Sequence, residues 1–465
     1  MSNVVNLNAA EYVAGLVNRA RAAQDAIDNY TQEQVDRLVK AVVWNIVKDG
    51  PAQEISRLAV EESGMGNYEG KYNKLMAKGK GCVRDMLGKK SVGVIEIDEE
   101  KQIMKIAKAV GVIGALCPCT NPEVTPTVKV ASALKGRNAI ILAPHPRTKK
   151  TNTFIVNLMR ETLKKYGAPE DLVIGIEEPT MDISGELMKQ CDLIMATGGA
   201  PMVKAAYSSG TPAYGVGAGN AVVVVDETAD LKDAANKIKS SKTFDFATSC
   251  SAENSLIIQQ SIYEDFVEAL KAEGGYMANA EETEKLQSAV WVDGHLNPKI
   301  IAQSAQVIAK VAGISIPGGT TFIMVEETGV GAEHPFSGEK LSVVLALYKY
   351  NKFEEAVKMV NDITKYQGMG HSCGIHSFNE EHIMELALKT KVSRMNVRQG
   401  HALANTGNWF NGLPFTTSLG CGSWGGNIVS ENITWKHLIN TTWVSRPFPP
   451  VKPTDEELFG DVMND

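Results

Sequence analysis

One cysteine in this chain has surroundings suited to a nucleophile. The run Phe244-Asp245-Phe246-Ala247-Thr248-Ser249-Cys250-Ser251-Ala252-Glu253-Asn254 encloses Cys250 in small and hydroxylic residues, with no lysine or arginine from Phe244 to Asn254. Such a thiol can face a pocket with backbone N–H groups close by, as a developing oxyanion requires. A buried cysteine acting as a small hydrophobe is the competing reading. Three further islands accompany it: Cys117-Pro118-Cys119-Thr120-Asn121-Pro122, Ala196-Thr197-Gly198-Gly199 with Gly215-Val216-Gly217-Ala218-Gly219-Asn220, and Gly338-Glu339-Lys340-Leu341-Ser342. Cys117-x-Cys119 is followed by no second ligand pair at zinc spacing and the histidines are dispersed, so no metal is expected.

The elements that must position these islands alternate. Strand-like runs at Val110–Leu116, Asn138–Ala143, Leu172–Ile176, Leu193–Ala196 and Ala221–Val225 are separated by helix-like stretches such as Thr151–Tyr166. Continuous apolar strands alternating with helices predict a parallel sheet covered on both faces, a dinucleotide-binding domain of Rossmann type. No Gly-x-Gly-x-x-Gly follows an early strand. Thr197-Gly198-Gly199-Ala200-Pro201 lies after a strand and before a helix, and is either a phosphate turn or a plain tight turn. Arg147, Lys149 and Lys150 follow a strand end, where such a domain meets the adenosine ribose, and can receive a 2′-phosphate or stand as a solvated basic loop.

Two helices open the chain; Thr31-Gln32-Glu33-Gln34 is a capping-box pattern and Gly50-Pro51 separates them. Two β-rich runs around Asp98-Glu99-Glu100 predict a hairpin over 91–107, an oligomerisation arm if it protrudes. A second α/β unit follows Asp226. The expected division is 1–225 for cofactor binding, 226–434 for catalysis and 435–465 as a C-terminal strap used in oligomerisation.

At 465 residues, two or three domains are expected, and 44% apolar with 22% charged residues is ordinary for a globular protein. A net charge of −7 argues against nucleic acid or anionic membrane as the main partner. No apolar run is long enough for a membrane helix. Met1–Asn8 lacks the basic start and apolar core of a signal peptide, and seven scattered cysteines form no disulfide framework, so a reduced, cytoplasmic chain is expected.

Taken in order, the islands resemble the aldehyde dehydrogenase superfamily, and most closely its CoA-acylating branch. Further matches are Ala143–Lys150, Gly370-His371-Ser372 and Leu419–Asn427, so that nearly the whole chain is covered. The resemblance implies an α/β, aldehyde dehydrogenase-like fold with Cys250 as the nucleophile and Asn121 as a side-chain oxyanion donor. It also implies a nicotinamide cofactor held by Thr120, Thr197, Gly198, Gly199, Gly217 and Glu339, with Arg147 and Lys149 at the adenosine ribose. NADP or NAD is expected, with NADP the preferred form, and coenzyme A is the cosubstrate. His371 is expected on CoA or the site wall. Hydrolytic members place a glutamate base in the segment matching Tyr214–Asn220, which here contains no carboxylate. Water needs a base, whereas a thiol is a far better nucleophile at neutral pH, so thiolysis is the expected second step.

Details such as Trp291-Val292-Asp293-Gly294, His334–Lys340 and Asn411–Phe415 are most similar to acylating sulfoacetaldehyde dehydrogenases, with succinate-semialdehyde enzymes next and acetaldehyde or propionaldehyde enzymes as further alternatives. Ala404–Trp409 departs from the glycine-richer sequence expected there, which leaves the aldehyde open. In this superfamily the stretch 394–417 lines the aldehyde tunnel, so Arg394, Arg398, His401, Asn405 and Thr417 are candidates to hold an anionic tail, Arg398 foremost. Arg398 paired with a surface carboxylate is the alternative. The expected partners are a small anionic aldehyde, CoA and a second copy of the chain in a homodimer or homotetramer. A phosphate-dependent semialdehyde reductase and a non-catalytic scaffold of the same fold are the competing classes.

Overall fold

The computed structural model describes residues 8–463. The signal-peptide reading of the first seven residues lies outside it. Four helices lead the described chain: Ala9–Ala26, Gln32–Val47, Pro51–Ser63 and Tyr68–Met86. The capping box predicted at Thr31 is present, with Gln34 N–H donating to Thr31 Oγ1 (3.3 Å) and Thr31 N–H to Gln34 Oε1 (2.8 Å). Val35, Leu38, Val39, Val42, Val43 and Ile46 form the buried stripe of this second helix.

Two parallel sheets follow. The first has five strands in the spatial order Val173–Gly175, Ala139–Ala143, Val112–Leu116, Leu193–Thr197 and Ala213–Val216. Its three central strands are apolar and almost entirely buried, as a sheet covered on both faces demands. The second has seven strands in the order Gly275–Met277, Phe322–Glu326, Val344–Tyr350, Glu253–Gln259, Ala221–Val225, Cys373–His376 and Met395–Val397, all paired in parallel. Ala221–Val225, counted by the sequence reading with the first sheet, is therefore hydrogen-bonded inside the second. The first sheet ends instead on Ala213–Val216. A short, fully apolar strand carries no periodicity that tells one doubly covered sheet from another.

The predicted hairpin forms from Gly93–Asp98 and Ile103–Ala109, and Ile439–Ser445 adds a third antiparallel strand beside Ile103–Ala109. The C-terminal strap thus closes on the arm. No described helix is long and apolar enough to cross a membrane.

The site lies between the sheets. Leu193–Thr197 and Ala213–Val216 deliver the glycine islands from one side. The second sheet brings Cys250, just before its strand Glu253–Gln259, from the other.

Candidate active site

The loop before Cys250 is strained. Asp245, Phe246 and Ala247 take φ of 49°, 51° and 60°, three consecutive left-handed residues, none of them glycine. Each costs roughly 1–2 kcal/mol against a right-handed conformation, so tertiary contacts must hold the loop. Asp245 supplies them. Its carboxylate is buried, accepts the Asn67 N–H at 2.9 Å, and meets the ammoniums of Lys74 (2.6 Å) and Lys71 (3.0 Å). Although burial alone would raise it, these two cations hold the Asp245 carboxyl below its ordinary range. The helix Tyr68–Met86 can come this close because residue 70 is glycine: a Cβ there would lie 2.7 Å from the Asp245 Cα.

The same helix reaches Asn121. Lys74 Nζ donates to Asn121 Oδ1 (2.5 Å), Asp245 Oδ2 (2.6 Å) and Thr248 Oγ1 (2.9 Å). Holding Oδ1 fixes which end of the Asn121 amide faces the site, because only the opposite end can donate. Nδ2 makes longer contacts, 3.1 Å to Thr120 Oγ1 and 3.5 Å to Thr248 O, and can turn to a substrate oxygen. Lys71 donates to Thr120 O. Burial lowers the Lys74 ammonium, but Asp245 and Glu123 outweigh it, so the net displacement is upward and the group stays charged.

His371 faces Cys250. Its Nε2 lies 3.3 Å from Cys250 Sγ and its Nδ1 2.7 Å from Ser372 Oγ, which in turn accepts from Asn405 Nδ2 at 3.1 Å. Burial, then the charges of Arg394 and His401, press His371 well below its ordinary value, so the ring is neutral. In the tautomer that donates Nδ1–H to Ser372, Nε2 can take the thiol proton. It has work to do, since burial, Glu339 and Cys421 push the Cys250 thiol up to about 12 against a smaller lowering by Arg394.

Both sides open onto one cavity of about 370 Å³. It is lined by Lys74, Lys78, Thr120, Asn121, Thr197, Gly198, Gly199, Gly217, Ser249, Cys250, Glu339, Thr416 and Thr417, among others. Glu339 is the only carboxylate among the described lining residues, and its Oε1 accepts the Gly219 N–H at 3.0 Å. Burial raises it to about 8. Residue 219 must be glycine, because a Cβ would fall 2.0 Å from the Cys250 carbonyl oxygen.

The cavity wall also carries features that suit part of a dinucleotide. Thr197 Oγ1 is buried with no partner among the described residues, and a Cβ on Gly217 would meet nothing within 4 Å. Gly198 and Gly199 end a strand and open the helix Ala200–Tyr207, where backbone N–H groups favour an anion.

Of the predicted site residues, Asn121, Thr120, Thr197, Gly198, Gly199, Gly217, Cys250, Glu339 and Thr417 share this cavity, and His371 touches the sulfur. Arg147 and Lys149 do not line it; Arg147 donates to Ser63 O, and Lys149 pairs with Glu178 at 2.6 Å on the surface. Four proposed anion-binding residues do not line it either. Arg398 donates to Ser377 O (2.5 Å) and stacks over Phe378 at 4.5 Å. Arg394 is buried and bound to His371 O (2.9 Å) and Gly420 O (2.7 Å). His401 Nδ1 holds Ser251 O (2.8 Å), and Asn405 holds Ser251 and Ser372. Arg394, His401 and Asn405 spend most of their polar atoms on the backbone and side chains behind Cys250, with Arg394 Nε and His401 Nε2 left without a partner among the described residues, and Arg398 is tied to Ser377. Lys71, Lys74 and Lys78 escaped the sequence reading. Their spacing of three and four residues, on a helix face shared with Gly70, Leu75 and Cys82, was the available signal.

The comparisons agree with this geometry. Residues 3–312 match the family model described as "Aldehyde dehydrogenase family". The chain is 49% identical over 458 residues to a sulfoacetaldehyde dehydrogenase of Acholeplasma, covering 97% of this chain and 94% of that one. It is 46% identical to an acylating sulfoacetaldehyde dehydrogenase of Bilophila wadsworthia, covering 95% and 96%. Among solved structures, an acetylating aldehyde dehydrogenase from Geobacillus thermoglucosidasius superposes with a TM-score of 0.93 at 38% identity, covering 97% and 100%. A propionaldehyde dehydrogenase from Rhodopseudomonas palustris with bound propionyl-CoA gives 0.84 at 26%, covering 96% and 98%. With a matched model over most of the chain and near-full-length relatives around one cysteine-centred cavity, the protein belongs to the aldehyde dehydrogenase family.

Proposed function

We propose that the protein oxidises sulfoacetaldehyde with NAD(P)⁺ and transfers the acyl group to CoA, giving sulfoacetyl-CoA. The carrying observation is the pairing of Cys250 with His371 in a cavity whose one carboxylate among the described lining residues, Glu339, accepts the Gly219 N–H. Cys250 attacks the aldehyde carbon as His371 Nε2 takes its proton, and Asn121 Nδ2 receives the oxygen in the resulting thiohemiacetal. The nicotinamide cofactor, when bound, accepts the hydride. Collapse leaves a thioester on Cys250. His371 releases that first proton to solvent, then takes the proton of the incoming CoA thiol and returns it to the Cys250 sulfur as thiolysis breaks the thioester bond, which frees the enzyme. The two relatives named for sulfoacetaldehyde support the substrate, and the propionyl-CoA complex of the structural neighbour supports CoA.

NADP⁺ is the preferred cofactor in this reading. The Lys149–Glu178 pair is a surface contact of the kind worth at most about 1 kcal/mol, so Lys149 is readily released to a 2′-phosphate. The enzyme works in the cytoplasm as a homodimer or homotetramer joined through the three-stranded arm.

The test is purified protein with sulfoacetaldehyde and either cofactor, with and without CoA. Turnover with CoA, sulfoacetyl-CoA in the mass spectrum, and at most one equivalent of reduced cofactor without CoA are expected. Sustained release of free sulfoacetate without CoA overturns thiolysis. A tenfold preference for NAD⁺ in kcat/KM overturns the NADP assignment.

A further inference from the structure

The cavity contains two ammoniums, and they differ in what they have left to give. A lysine ammonium has three donors. Those of Lys74 all have partners: Asn121, Asp245 and Thr248. Lys78, one helical turn further on the same face, uses Gly407 O at 2.6 Å and Thr406 O at 3.2 Å. Both are neutral carbonyls, and no carboxylate among the described residues bridges it. The Phe415 ring, its centroid 5.2 Å from Nζ, adds a cation–π contact, so Lys78 has neutral partners only and its countercharge is open to a ligand, in a residue that is nine-tenths buried and lines the same cavity as Cys250.

Its surroundings fit an anion rather than a second protein group. Thr417 Oγ1 lines the cavity, buried and without a partner among the described residues. The loop 406–417 that supplies the carbonyls also carries Thr416 and Thr417 to the cavity wall. Along the helix, Lys74 marks the Asn121 end, where the aldehyde oxygen must go. Four residues, about 6 Å of rise, separate it from Lys78. A two-carbon aldehyde bridges such a gap with its oxygen at Asn121 and its tail at Lys78.

We infer that Lys78, with Thr417, forms the subsite that binds the anionic tail of the substrate, a sulfonate on a two-carbon aldehyde. The inference rests on the proposed function and assigns the recognition of that same substrate. A sulfonate entering the cavity loses water, and an ammonium without a countercharge is the group whose own burial the sulfonate relieves. Burial, then the charge of Lys74, holds the free Lys78 down at about 7, and a bound anion restores its charge.

The experiment uses the full-length enzyme with NADP⁺ and CoA, and compares sulfoacetaldehyde with acetaldehyde. The Lys78→Met variant should lower the ratio of kcat/KM for sulfoacetaldehyde to that for acetaldehyde by about 10–100-fold, with the loss mainly in KM. Lys78→Arg, which keeps the charge, should recover at least a third of the wild-type ratio. Isethionate, an unreactive sulfonate alcohol, should compete with sulfoacetaldehyde in the wild type and lose that competition at least tenfold in Lys78→Met. A ratio unchanged within threefold overturns the assignment, as does a variant whose KM rises for CoA while that for sulfoacetaldehyde stays put. If Lys78→Met does not fold, an unaltered ratio and unaltered isethionate inhibition in Lys78→Gln overturn it instead. A wild type that oxidises acetaldehyde but not sulfoacetaldehyde refutes the proposed substrate before any variant is made. A wild type that takes sulfoacetaldehyde leaves that reading standing whatever Lys78 does.

Discussion

Two basic stretches flank Cys250, and they spend their donors differently. The stretch 394–401 lies behind Cys250. Arg394 is committed to the carbonyls of His371 and Gly420, and His401 to that of Ser251. The stretch 71–78 faces the cavity from the helix Tyr68–Met86. Lys74 orients the Asn121 amide there, and Lys78 lines the cavity with no carboxylate partner among the described residues. An arginine with several rigid donors is well suited to gathering backbone carbonyls into a loop scaffold. A lysine on a helix presents one compact charge at a chosen depth. A cation near an active site is therefore open to a substrate only where the fold leaves it on the cavity wall, as it leaves Lys78 and not Arg394.

The sharpest way to break the comparison is to disconnect Lys74 from Asn121. Asn121→Ala should lower kcat on sulfoacetaldehyde by about 10²–10³, the range for losing one oxyanion donor, with KM little changed. Lys74→Met should cost a similar factor, and the double variant no more than the worse single one, because both act through one amide. Additive losses would mean that Lys74 acts elsewhere, for instance only by holding the strained loop through Asp245.

Arg394 should behave in the opposite way. Arg394→Met leaves two well-made carbonyl contacts without a donor and should reduce stability by about 2–3 kcal/mol, read as a lower urea midpoint. The preference for sulfoacetaldehyde over acetaldehyde should survive in whatever enzyme remains folded. A collapse of that preference with stability intact would return Arg394 to the substrate site.

Much of the chemistry was legible in the sequence, and the reason is local. Cys250, Asn121, Glu339 and the glycines at 198, 199 and 217 lie in compact islands whose order matches the family, and all share the cavity. The supporting layer was not legible, because it is assembled across long separations. Asp245 is held by residues 67, 71 and 74, nearly 180 positions away, and nothing in Asp245-Phe246-Ala247 announces three left-handed residues. Of the candidates for the anionic tail, Thr417 lines the cavity, whereas Arg394, Arg398, His401 and Asn405 lie off its wall for a related reason. Sequence places 394–405 beside the site, but not the carbonyls that take up its donors. Ala221–Val225 went to the wrong sheet because five apolar residues buried on both faces read alike in either.

A smaller effect tests how alone the cysteine is. With the thiol raised to about 12 in the free enzyme, the thiolate fraction should grow about tenfold per pH unit below that value. Iodoacetamide should therefore inactivate the cofactor-free enzyme about a hundredfold faster at pH 9 than at pH 7, with no plateau between. Levelling off near pH 7 would show that Arg394 and His371 stabilise the thiolate far better than the buried site implies.

The smallest expected effect is at Arg398. Its guanidinium is tied to Ser377 O and stacks on Phe378, outside the cavity. Its backbone is left-handed at φ 52°. Arg398→Ala removes one hydrogen bond and one cation–π contact, together about 1–2 kcal/mol of stability, and should change KM for either aldehyde by less than twofold. Arg398→Gly loses the same contacts but relaxes the left-handed backbone, so it should be no less stable than the alanine variant. A KM for sulfoacetaldehyde raised tenfold in both variants, with acetaldehyde spared, would reverse the comparison. The anion would then be held from behind the cysteine, and Lys78 would be a buried cation that serves only the loop 406–407.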